Sequence, residues 1–135
     1  MCDNFVGFWK LVDSENFDDY MKAVGAESAT RRMVVAGHPM LEISLDGDKI
    51  RMKTHSTFQN RMMEFRLNEE IEHDTVEDRR VKSTFEVADG KLLQHEKPTS
   101  ANGTASKIVR WIEGDTLIET LEAGSVQCKR VYKKQ

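Results

Sequence analysis

Two arginines lie where strand periodicity puts apolar side chains. Between Lys107 and Ile112, the residues Ile108, Arg110 and Ile112 share one face. Near the C-terminus Val126, Cys128, Arg130 and Tyr132 share a face, with Gln127, Lys129, Val131 and Lys133 opposite. A face that begins apolar is expected to point inward. A guanidinium cannot shed its charge, and burying it unpaired costs several kcal/mol. Two inward arginines therefore call for water, internal carboxylates such as Glu119, or an anion from outside. A carboxylate ligand suits the planar fork of arginine, and the Tyr132 hydroxyl adds a donor. Periodicity alone leaves these alternatives open.

Other chemistry finds little support. His38, His55, His73 and His95 are scattered without metal-ligand spacing and are expected on the surface or in loops. The sequence has no GxSxG, no HExxH and no phosphate-cradling glycine loop. Glu69, Glu70, Glu72, Asp74, Glu77 and Asp78 crowd one stretch without the EF-hand order, which predicts a solvated hairpin. Cys2 and Cys128 form neither a CxxC pair nor a disulfide framework, which points to a reducing, cytoplasmic setting. No catalytic residue, metal site or cofactor is expected, and the protein is not expected to be an enzyme.

The elements that must position these arginines are mostly strands. Turn signals at Asp46-Gly47, Asn68, Asp74 to Asp78, Asp89-Gly90, Asn102-Gly103, Glu113-Gly114 and Ala123-Gly124 recur at hairpin spacing. Between them run alternating segments such as Leu41 to Leu45 and Val81 to Val87. With a first strand at Phe5 to Val12, this predicts about ten strands, which must stack as a sandwich or close as a barrel to hide their edges. Asn16 to Gly37 reads as helix. Phe17, Tyr20, Met21 and Val24 form one apolar face, Ser14 or Asn16 can cap the start, and Gly25 can end it. A second short helix over Ala26 to Ala36 would carry Ala29, Met33 and Ala36 on one side.

The chain has 135 residues and a net charge of −3. That length predicts one domain, residues 1–135. The mild acidity argues against nucleic acid as a partner. No apolar run approaches the ~20 residues of a membrane span, and the N-terminus lacks the pattern of a signal peptide.

Gly7-Phe8-Trp9-Lys10-Leu11, followed by Asn16-Phe17-Asp18-Asp19-Tyr20-Met21, strongly resembles the intracellular lipid-binding proteins. These comprise the fatty-acid-binding and cellular retinoid-binding proteins. Ala29-Thr30-Arg31, Asp46-Gly47-Asp48, Ser56-Thr57-Phe58 with Asn60, Asp78-Arg79 with Val81-Lys82-Ser83, and Val109-Arg110 with Gly114 are similar to the family at the same relative places. So is the ending Cys128-Lys129-Arg130-Val131-Tyr132. The resemblance covers essentially the whole chain.

It implies an all-β fold: a ten-stranded antiparallel up-and-down barrel of lipocalin-like type, with a helix-turn-helix lid at about residues 16–37 and a cavity for lipid. Arg110, Arg130 and Tyr132 match the carboxylate-binding set of the heart, adipocyte and myelin subgroup. That implies an intracellular, non-covalent carrier of long-chain fatty acids, with a retinoic-acid-type carrier as the alternative. The resemblance further implies that Phe17, Tyr20, Met21 and Met33 line the lid side of the cavity and that Phe58 sits at the portal. Lys22, Arg31 and Arg32 match a basic trio that serves nuclear import in some members, so nuclear as well as cytoplasmic residence is an expectation. A monomer is expected, with transient membrane contact through the lid. A membrane-apposing structural protein is the alternative of another class, and net charge −3 argues against it. A secreted lipocalin would usually be longer and disulfide-bonded. Three departures from the family pattern stand out: Gln59 where lysine is common, the adjacent Met62 and Met63, and Trp111, expected to face outward.

Overall fold

The computed structural model describes residues 2–101 and 103–135. Ten strands follow one another: β1 (Gly7–Glu15), β2 (Met40–Asp46), β3 (Lys49–His55), β4 (Arg61–Phe65), β5 (Ile71–Asp74), β6 (Arg80–Ala88), β7 (Lys91–Pro98), β8 (Ser106–Glu113), β9 (Thr116–Ala123) and β10 (Val126–Lys134). Two helices, α1 (Phe17–Ala23) and α2 (Ser28–Val35), separate β1 from β2. The strands pair antiparallel in the order β4-β3-β2-β1-β10-β9-β8-β7-β6-β5. Pairing of β1 with β10 curls this meander into a nearly closed barrel. The turns follow their chemistry. Asp89 and Gly90, at φ 54° and 76°, supply the two positive φ values of a tight hairpin between β6 and β7. Asn68 turns at φ 64°, which its short polar side chain tolerates. Of the Asn102-Gly103 signal, Asn102 lies outside the described residues.

The barrel stays open between β4 and β5, the two ends of the ladder. Side chains bridge this gap. Arg61 on β4 donates from Nε to the Thr75 carbonyl at 3.2 Å and from Nη2 to Asp78 at 3.0 Å. Phe65 of β4 stacks on Phe85 of β6 with ring centroids 3.6 Å apart. Both rings belong to a core cluster with Trp9, Ile43, Leu92 and Leu117. A short 3₁₀ turn over Asp3–Phe5 joins this cluster, and the Trp9 indole N–H donates to the Phe5 carbonyl at 2.9 Å. A second cluster sits under α1 and α2, where Phe17, Tyr20, Met21 and Val24 meet Leu121 and Cys128 of β9 and β10.

Several local expectations are corrected. The first strand begins at Gly7 and runs to Glu15, because residues 3–5 coil inward and a bulge at Val12 carries the strand past its expected end. Asn16 stands at the α1 N-cap, but at φ 62° its side chain makes no cap bond. Its amide instead donates to the Gln127 carbonyl at 3.3 Å, tying the start of α1 to β10. On α2 the buried anchor is Val34; Ala29, Met33 and Ala36 face outward. One residue of helix turns a side chain by about 100°, so the neighbouring position, not Met33, meets the barrel. The stretch from Asn68 to Asp78 is not wholly solvated, since Glu77 and His73 are buried. Trp111 is half-buried on the outer side, with Lys91 Nζ 4.6 Å from its ring.

Phe85→Ala is expected to cost about 3–5 kcal/mol, the usual penalty for emptying a buried aromatic site. Urea denaturation followed by circular dichroism measures it; a loss below about 1 kcal/mol would show that the Phe65–Phe85 stack does not hold the gap.

Candidate ligand-binding cavity

Strand register writes the central feature of the interior. Arg110 on β8 is the cross-strand partner of Glu119 on β9, and Glu119 is the cross-strand partner of Arg130 on β10. Inward parity on three adjacent strands thus sets cation, anion and cation in one row, all buried. Arg110 uses the anion: its Nε donates to Glu119 Oε2 at 2.8 Å, and its Nη1 to Gln94 Oε1 at 2.8 Å. Among the described residues Arg130 has no such partner. Its buried Nε is unpaired, and its guanidinium carbon lies 3.8 Å from the centre of the Phe17 ring and 5.9 Å from that of Tyr132. A cation over aromatic faces is partly compensated, but those faces accept no directed hydrogen bond of carboxylate strength.

These residues line one cavity, open to solvent at its mouth. Arg110, Glu119, Arg130 and Tyr132 contribute to one side of its wall. Leu41, Met52 and Met63 from β2 to β4 contribute to another. Phe17 and Tyr20 of α1 and Val34 of α2 roof it, and Phe58 lies on its lining between β3 and β4. Tyr20 is pinned to the barrel by a 2.5 Å hydrogen bond between its hydroxyl and that of Ser106.

Other sequence-predicted residues fall elsewhere. Met21 is fully buried in the cluster under the lid rather than on the cavity wall. Met33 is 53% exposed on the outside of α2 and lines nothing. Lys22 and Arg32 are exposed on the lid. Arg31 is engaged, donating from Nε to Asp18 at 3.0 Å and from Nη1 to the Ala26 carbonyl at 2.8 Å, so it clasps α2 to α1. Cys128 is buried, and desolvation pushes its thiol up to about 12. Burial also pushes the Tyr132 phenol up, against the pull of Arg130, so it remains a hydrogen-bond donor.

Sequence reasoning missed a polar network beside the row. Gln94 is its hub: while its carbonyl accepts from Arg110, its amide donates to Ser83 Oγ at 3.0 Å and to Glu96 Oε2 at 3.4 Å. Ser83 bonds His73 Nε2 at 2.7 Å. Glu96 and Glu77 share the guanidinium of Arg79, through contacts of 2.5 and 2.7 Å from Nη2. The alternation Leu92, Gln94, Glu96 places both polar residues on the inner face and was legible; Arg79 and Glu77 lie in a connection, where no period applies. Burial pushes the Glu96 carboxyl above its usual range, with Arg79 pulling it back, and pushes the His73 imidazole down.

Known proteins agree with this architecture. Residues 6–135 match the model of the lipocalin / cytosolic fatty-acid binding protein family. The chain is 42% identical over 134 residues to fatty acid-binding protein homolog 5 of Caenorhabditis elegans, covering 99% of this chain and 98% of that one. It superposes on apo lipid binding protein 8 of C. elegans with a TM-score of 0.95 at 32% identity, covering 100% and 98% of the two chains. A fatty acid binding protein of Schistosoma mansoni, solved with arachidonic acid, gives a TM-score of 0.91 at 36% identity over 98% of this chain and 97% of that one. The chain belongs to the lipocalin / cytosolic fatty-acid binding protein family. This is a family of non-enzymatic lipid carriers.

The Glu96 environment predicts a pH dependence. A carboxyl whose pKa is raised on folding contributes stability below its unfolded value of 4.5, and that contribution is lost as pH rises through the folded value. Glu96→Gln lacks this slope. The stability of Glu96→Gln relative to wild type is therefore expected to improve from about pH 4.5 to pH 8 in urea titrations; a pH-independent difference would mean that burial does not govern Glu96.

Proposed function

We propose that this protein is an intracellular, non-covalent carrier of long-chain fatty acids, holding the ligand carboxylate at Arg130 and Tyr132 with Arg110 beside them. The observation that carries this reading is the asymmetry of the buried row. Arg110 spends its fork on Glu119 and Gln94, while Arg130 has no carboxylate partner among the described residues. An entering carboxylate supplies the missing anion. The alkyl chain gains at best about 0.8 kcal/mol per CH₂ buried against Leu41, Met52, Met63 and the lid. The arachidonic acid in the Schistosoma relative supports a fatty acid as the ligand class. The exposed Met33 and Val35, with Lys22 and Arg32 on the same lid, support transient contact with anionic membrane during loading. The engagement of Arg31 by Asp18 leaves the expected import trio incomplete as a free basic face.

Titration of oleate and oleyl alcohol into wild type, Arg130→Gln and Arg110→Gln tests the anchor. A charge-assisted hydrogen bond is worth about 1.5–3 kcal/mol, so Arg130→Gln should weaken oleate by roughly ten- to a hundredfold. Oleyl alcohol, which brings no charge, should be nearly unaffected by the same change. Arg110→Gln should also weaken oleate and, because it strands Glu119, lower stability as well. Equal weakening of acid and alcohol by Arg130→Gln would overturn the anchor.

A further inference from the structure

The row across β8, β9 and β10 holds one residue that a plain anion receptor would not need. Glu119 stands on the middle strand, across from Arg110 on one side and from Arg130 on the other. It is 6% exposed and lines the same cavity as both arginines. Its Oε2 lies 2.8 Å from Arg110 Nε, while Arg130 has no carboxylate partner among the described residues. A buried ion pair is weak evidence for stability, because apolar residues of similar volume often serve as well. What the pair does here is remove one of two cations from the reach of a ligand.

The charge count on this wall is uneven. Two guanidiniums and one carboxylate leave the row with one surplus positive charge. The other charged side chains on the lining have counter-charges of their own. Arg61 pairs with Asp78 at 3.0 Å, and Asp74 with Arg80 at 3.3 Å. Glu77 and Glu96 share the guanidinium of Arg79. That cluster is short of cations, not of anions, so it offers no compensation to an incoming negative charge. Burial holds His73 toward its neutral form. A head group with one negative charge therefore closes the count at the row. A head group with two leaves a buried charge without a partner, which is strongly disfavoured. Without the Glu119 charge the row would carry two surplus positives, and the same wall would suit a dianion.

We infer that Glu119 is the specificity-determining residue for head-group charge: by pairing with Arg110 it restricts the cavity to amphiphiles with a singly charged anionic head and excludes doubly charged ones such as alkyl phosphates. The inference rests on the carrier reading above and adds a charge rule to it.

The test uses palmitate, hexadecyl sulfate and hexadecyl phosphate, each titrated at pH 8 below its micelle concentration. Sulfate and phosphate heads share a tetrahedral shape and differ in charge. The sulfate carries one negative charge, and the phosphate close to two, because its second pKa is about 6. Wild type is expected to bind the sulfate about ten- to thirtyfold more tightly than the phosphate. At pH 5, where the phosphate is mostly a monoanion, that preference should shrink to within about twofold. Glu119→Gln keeps an amide oxygen that can accept from Arg110. It should tighten all three ligands and cut the preference at pH 8 to about twofold or reverse it. Combining Arg110→Gln with Glu119→Gln removes a cation and an anion together, so one surplus charge remains. The preference should then return toward the wild-type ratio, whatever the absolute affinity. Circular dichroism confirms that each variant folds. Equal binding of sulfate and phosphate by wild type at pH 8 overturns the inference even if neither variant folds. A wild-type ratio that persists in Glu119→Gln overturns the assignment to Glu119. Failure of wild type to bind palmitate overturns the carrier reading instead, and the charge rule with it.

Discussion

The structure turns on a shortage of one anion. Three neighbouring strands put Arg110, Glu119 and Arg130 side by side inside the barrel, and the single carboxylate of the row pairs with Arg110 and leaves the second positive charge unbalanced. Breaking a buried pair is expensive because the survivor stays charged in a poor solvent. The fold carries that cost permanently at Arg130, softened by the Phe17 and Tyr132 rings. A core designed for stability alone would put an apolar residue there. Keeping the charge makes sense where an anion comes and goes, and where the apo state is expected to be the less stable one.

The lid and the barrel wall are both subordinate to this constraint. Phe17 is the first residue of α1 and also the ring that covers Arg130, so the lid rests on that guanidinium. The Asn16 amide holds that end of α1 to β10, and the Tyr20 hydroxyl holds the helix to β8. An anion reaching Arg130 competes with the Phe17 ring for the same guanidinium. An anion held at Arg130, as proposed, would therefore be physically linked to the seating of α1. The gap between β4 and β5, closed by Arg61 and the Phe65–Phe85 stack rather than by backbone, lets the sheet wrap a cavity without a tenth ladder.

Much of this was legible because strand parity is a strong signal. Period-two alternation with the hairpin signals put Arg110 and Arg130 indoors, and the barrel and lid came from family resemblance rather than from periodicity. The failures share a physical cause. Met33 was misplaced because an eight-residue helix has too few turns to distinguish its true anchor, Val34, one position on. Asn16 was read as a cap, but its side chain serves a tertiary bond to β10. Glu77 was read as solvated because the stretch around it is acidic, and His73 as a surface or loop residue because the histidines show no metal-ligand spacing. Composition does not report which members of a charged run face inward, and Arg79, the partner that makes Glu77 affordable indoors, lies in a turn-rich segment with no period.

The interior is polarised across its width. Apolar Leu41, Met52 and Met63 on β2 to β4 face a wall from β5 to β10 that carries His73, Gln94, Glu96, Arg110, Glu119 and Arg130. On the reading proposed above, a carboxylate held at Arg130 would start on this wall, with hydrocarbon available from Ile108 and Leu121 beside it and from the methionines opposite, whose unbranched, flexible side chains adapt to bends. Chain shape would then be selected loosely, by a deformable surface, and the head group sharply, by fixed charges. The rigidity of the polar wall has a direct source: each of its groups is held by a neighbour on the adjacent strand or connection, from Glu119 through Arg110 and Gln94 to Glu96 and Arg79. On that reading, specificity belongs to the half of the cavity whose geometry the hydrogen bonds determine.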